Sequence, residues 1–225
     1  MATNTIDLTT AIAWITAWRQ SPKTGIKAFF IPKDDMSDLM LDESCIGVRA
    51  YLAYGNQEGL PAEAKLLLVD VDGNLSDGGT DNLTNGIFDF TSPCPTFCDV
   101  TSPLYTLDVK TYPIIGGNAI TLEMAIDWEK AWIAAPDLGV KAFFIPKVDI
   151  QKLLNDTNCI GARAYLGWGD TDNKAPEAKL MLVSVDPTEN NPDYGVDNIA
   201  NGIYDFTSPC PTFCGVNSPL NTLTP

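Results

Sequence analysis

The chain has 225 residues, 45% of them apolar, enough for one large packed domain or two small ones. Its 29 acidic residues outweigh 14 basic ones for a formal charge of -15, a field that repels nucleic acid and anionic membranes, so neither is expected as a partner. Histidine is absent, which excludes Ser-His-Asp and Cys-His triads and any zinc site that uses imidazole.

The first segment, "IDLTTAIAWITAW", places Ile12, Trp14 and Trp18 at largely helical spacing behind a capping Asp7, and predicts an amphipathic helix. Pro22 and Gly25 stop it before "IKAFFIP", which is rich in aromatic and β-branched residues and reads as a strand. A short helix is expected around Met36 to Leu41. "CIGVRAYLAYG" then alternates, with Ile46, Val48, Ala50, Leu52 and Tyr54 on one face and Cys45, Gly47, Arg49 and Tyr51 on the other. "AKLLLVDVD" is its expected hairpin partner, "GIFDF" a fourth strand, and "TSPCPTFC" an extended closing strap over its own module.

The whole series then recurs. Shifted by 114, Ile6–Gly55 aligns with Ile120–Gly169 at 27 identities in 50 positions, including "KAFFIPK" at Lys27–Lys33 and Lys141–Lys147. By Asp81 and Asp197 the shift is 116, so the second copy carries two extra residues in the intervening loop, where insertions are tolerated. The second copy repeats each prediction, including a helix bearing Ile126, Trp128 and Trp132 and a short helix at Ile150 to Leu154. The expected fold is α+β: two tandem homologous modules at 1–107 and 120–225 joined by a linker at 108–119. Each is read as a mainly antiparallel sheet of three to four strands packed with two helices.

The run "CIGVRAYLAYG", the strand "KLLLVDVD" and the segment "PCPTFC" ending in "SPL" resemble an uncharacterised family of short bacterial proteins. Those proteins have a Cys-Gly-x-Arg strand and a Cys- and Pro-rich end near Ser-Pro-Leu-Asn, matched here by "SPLN" at Ser218–Asn221. The resemblance implies no activity. It implies a unit that ordinarily stands alone, here present as a fused pair.

Cysteine is the first candidate for chemistry. Cys94 and Cys98, and Cys210 and Cys214, form two C-x3-C pairs, wider than the C-x2-C of zinc knuckles and redox turns. They are a candidate disulfide or thiol site with three readings: a bridge within each pair, four thiolates around a metal, or free buried thiols. Cys45 and Cys159 read as buried thiols. Arg49 and Arg163 lie in otherwise apolar strands and require a carboxylate, as a structural ion pair or as a clamp for a ligand. Glu63 or Asp72, and Glu177 or Asp186, are the partners expected from the hairpin.

A weak calcium frame occurs in "DVDGNLSDGGTD", with Asp70, Asp72, Asn74, Ser76 and Asp81 at ligand spacing, but Leu75 replaces the turn glycine and Asp81 the bidentate Glu. The four helical tryptophans read as core rather than as a ligand groove. No phosphate loop or dinucleotide fingerprint is present, and no cofactor is expected. "MATNTIDLTT" lacks the basic start and apolar core of a secretory signal, and no stretch has the length and apolarity of a membrane span. The expectation is a cytoplasmic, non-enzymatic structural or interaction protein whose partner is itself, as an oligomer or filament, or another protein. The alternative is a thiol-based redox or metal-binding protein.

Overall fold

The computed structural model describes residues 5–6, 28–55, 63–74, 79–93, 99, 101–102, 119–120, 142–169, 177–189, 191–205 and 207–209. The predicted Trp-bearing helices, the C-x3-C segments and nearly all of the linker lie outside these residues.

The described elements are, in chain order, β1 (Thr5–Ile6), β2 (Ala28–Pro32), α1 (Lys33–Leu39), β3 (Cys45–Gly55), β4 (Glu63–Asp72), β5 (Thr80–Asp81), β6 (Ile87–Phe88) and β7 (Ser92–Pro93). The second half of the chain contributes β8 (Ala119–Ile120), β9 (Ala142–Pro146), α2 (Lys147–Leu154), β10 (Gly161–Gly169), β11 (Glu177–Thr188), β12 (Asn191–Asp197), β13 (Ile203–Tyr204) and β14 (Ser208–Pro209). Of the predicted strands, "IKAFFIP" is present over its described part "AFFIP", and "CIGVRAYLAYG" and "AKLLLVDVD" are present throughout. Each short helix starts earlier than its apolar residues suggest, directly after Pro32 or Pro146, whose extended backbone serves as the cap. Proline is suited to that boundary because its fixed φ serves both extended and helical neighbours.

The architecture is α+β, with two antiparallel seven-stranded sheets, and here it departs from the expected pair of self-contained small sheets. One sheet runs β1-β6-β4-β3-β9-β14 with β5 beside β4, the other β7-β2-β10-β11-β13-β8 with β12 beside β11. Each half of the chain therefore supplies strands to both sheets. β2, from the first half, pairs with β10 of the second, while β9, from the second half, pairs with β3 of the first. The two registers are the same. Gly161 faces Pro32 and Tyr165 faces Ala28; Gly47 faces Pro146 and Tyr51 faces Ala142, and adding 114 to 47 and 32 gives 161 and 146.

The closing strap follows its strand. β7 pairs with β2, and β14 with β9, so each strap ends in the sheet built on the other half's hairpin. Its start is tied to its own hairpin, where Thr91 Oγ1 bridges the backbone of Leu66 and Thr207 Oγ1 that of Leu180.

One hydrophobic cluster unites these parts. Phe29, Ile31, Val48, Leu52, Leu66, Phe143, Ile145, Ala162, Leu166 and Leu180 belong to it with Met36 and Leu39 of α1 and Ile150, Leu153 and Leu154 of α2. Phe29 and Phe143 on the crossing strands are completely buried, and each contributes on the order of 2 to 3 kcal/mol by burial. Among the described residues no helix is long and apolar enough to cross a membrane.

Candidate functional site

The residues with the most pronounced chemistry lie on the faces of β3 and β10 opposite the core cluster. Alternation in β3 puts Arg49 and Tyr51 on one face together, and in β10 Arg163 and Tyr165. β5 then lies alongside β4 and β12 alongside β11, with Gly79 directly before β5 and Gly195 within β12. Both glycines have positive φ, +60° and +50°, and a Cβ on Gly195 would stand 2.2 Å from the carbonyl oxygen of Asp186. Only glycine permits so close a return.

This pairing brings Asp81 and Asp197 to the arginines. Arg49 Nη1 donates to Asp81 Oδ1, and Tyr51 Oη to Asp81 Oδ2 at 2.5 Å. Arg163 Nη1 donates to Asp197 Oδ1, its Nη2 to the carbonyl of Tyr194 at 2.6 Å, and Tyr165 Oη to Asp197 Oδ2 at 2.5 Å. The side chains of both ion pairs are wholly buried. Burial pushes the Asp197 carboxyl above the ordinary carboxylate range, and the guanidinium of Arg163 opposes that shift. Burial, and then the adjacent Asp197, push the Tyr165 phenol well above its ordinary value.

The arginine partners thus differ from those expected. Asp72 accepts from the Ser44 hydroxyl at 2.9 Å, and Asp186 from Asn198 at 2.7 Å, while the short strand beyond the hairpin supplies the partner carboxylate. In each cluster the arginine is paired with an aspartate of the chain in a buried ion pair. The same contact turns Asp81 away from the calcium frame: Asp70 is buried, Asn74 is exposed, and Asp81 faces Arg49. Among the described residues no three His, Cys, Asp or Glu side chains are grouped to hold a metal ion.

The second cluster includes the first half's strap. Asp99 Oδ2 accepts from the backbone N–H of Asp197 at 3.1 Å, and Ser102 Oγ lies 3.5 Å from Tyr165 Oη. Lys65–Asp89 at 3.3 Å and Lys179–Asp205 at 3.0 Å form a further matched pair of buried ion bridges.

Cys45 and Cys159 are free, buried thiols. Each Sγ donates to a backbone carbonyl, Gly47 at 3.3 Å and Gly161 at 3.0 Å, and burial pushes both thiols above their ordinary values. Such thiols are poor nucleophiles. Cys94, Cys98, Cys210 and Cys214 lie outside the described residues.

One carboxylate breaks the match between halves. Asp70 is fully buried; its Oδ2 accepts from Asn85 at 3.2 Å, and its Oδ1 has no hydrogen-bond partner among the described residues. Burial raises it from 3.8 to about 6, with nearby Asp72 and Asp42 adding to the rise. At the equivalent position the second half has Ser184, whose hydroxyl accepts from Asn201 at 3.0 Å.

No family, curated protein or solved structure matches the chain.

Proposed function

We propose that this is a non-enzymatic structural or protein-interaction protein, composed of two tandem homologous modules, that associates with copies of itself into an oligomer or filament. The observation that supports this reading is the reciprocal seating of the two "AFFIP" strands. A module whose hairpin gains its neighbouring strand from another module carries self-association in its fold, by the same main-chain pairing that drives strand addition between proteins. The buried arginines point the same way, because their carboxylate partners belong to the chain.

Light scattering of the purified protein at micromolar concentration tests the proposal. The expected result is a population above the 24.3 kDa of one chain, with rings or filaments in electron micrographs. A 24.3 kDa species alone overturns the self-assembly reading.

A further inference from the structure

The seat for a crossing strand does not distinguish the chain it comes from. β3 receives Ala142–Pro146 and β10 receives Ala28–Pro32 in the same register, and the two donors have the same sequence, "AFFIP". The elements following them are seated alike. Lys33 Nζ donates to the carbonyl of Asp156 at 2.9 Å, and Lys147 Nζ to the carbonyl of Asp42 at 2.9 Å. Every contact of this set joins residues of the first half to residues of the second. Chain continuity between the halves runs through the segment 108–118.

We infer that the protein's partner is a second copy of itself, bound by exchange of whole repeats: the first repeat of one chain interlocks with the second repeat of another, and the segment 108–118 spans between the two interlocked units. The inference rests on the self-assembly reading and specifies its interface. Exchange of an identical element recreates in the oligomer the contacts already present in one chain, so it requires no additional surface. Two chains exchanging mutually give a closed dimer; chains exchanging in succession give rings or an open fibre.

The strap gives the exchange a polarity. Asp99 of the first repeat accepts from the backbone of Asp197 in the second, and the residue aligned with Asp99 in the second repeat is Gly215, 116 positions on. Pairing two second repeats would therefore forfeit this acceptor. Second-with-second is the disfavoured combination.

In such an oligomer the successive units are joined covalently by 108–118 alone, and this yields the test. A protease site is inserted at 108–118 in the full chain, the oligomeric fraction is isolated, and the site is cut to completion. Exchange predicts collapse to particles of 24.3 kDa, each containing one N-terminal and one C-terminal fragment. An oligomer that keeps its mass after cutting is held by surface contacts; that result overturns exchange and leaves self-assembly standing. Where the starting protein is monomeric, the self-assembly reading fails, and deletion of Val109–Gly116 tests exchange by itself. Shortening the connection disfavours pairing within one chain, so a folded dimer is expected. A monomeric or unfolded product overturns the inference.

Discussion

The ammonium group of Lys33 donates to the backbone carbonyl of Asp156 at 2.9 Å across 123 residues of sequence, and the backbone N–H of Lys33 donates to Ile160 at 2.8 Å. Both bonds fasten the end of a strand from the first repeat into the second. The interface between repeats is therefore a main-chain ladder continued by side chains, with Phe29 as its buried apolar anchor.

Damage at such an anchor should appear in the opposite repeat. Phe29→Ala removes a fully buried ring from β2 and is expected to destabilise the protein by about 3 to 5 kcal/mol. Hydrogen exchange should accelerate more at 161–165, which β2 covers, than at 47–51. Phe143→Ala should give the reverse pattern. Faster exchange confined to the mutated repeat's own hairpin would contradict the pairing.

Removing one member of a buried ion pair strands the other. Arg49→Met leaves Asp81 without its guanidinium, and Arg163→Met does the same to Asp197; each is expected to cost roughly 3 to 5 kcal/mol in denaturant unfolding. Arg49→Met combined with Asp81→Leu should cost less than the sum of the single changes. Additive losses would show that the pair is not coupled.

Asp70 gives the first repeat a pH dependence. A carboxyl whose folded value is about 6 against 3.8 unfolded keeps its proton better when folded. Unfolding then releases a proton, so stability falls as pH rises from 3.8 to about 6, and the cost is fully present above that range. Asp70→Ser, which installs the second repeat's residue, should remove this slope and stabilise the protein at pH 7 by about 1 to 3 kcal/mol. Melting curves between pH 4 and pH 7 decide it: equal slopes for the two proteins would refute the assignment.

Gly195→Ala places a methyl group against the Asp186 carbonyl at a backbone angle that disfavours any side chain. A loss of about 2 kcal/mol or more is expected. Because β12 carries Asp197, the substitution should also expose Tyr165, detectable as a phenol titrating closer to its ordinary value.

Much of this was readable from the residues. The strands at "AFFIP", "CIGVRAYLAYG" and "AKLLLVDVD" announced themselves by composition and alternation, and Arg49 by its position in an apolar strand. Their pairing was not readable, because periodicity describes one segment at a time and the two identical "AFFIP" segments offer each hairpin two equivalent donors. Asp81 and Asp197 are not legible as the arginines' partners for a related reason. They lie beyond the hairpin, and only the pairing of β5 with β4 and of β12 with β11 brings them back; the available signal is an Asp-Asn pair shortly after a glycine in both copies.

The shared register of β2 on β10 and β9 on β3 has a consequence for how such a chain changes over time. Where a sequence recurs within one chain, one occurrence is usually free to drift while the other keeps its role. Here each copy provides part of the other's sheet, so a substitution in either "AFFIP" segment is judged by the hairpin of its sibling. The two halves answer to one another, and neither is a spare.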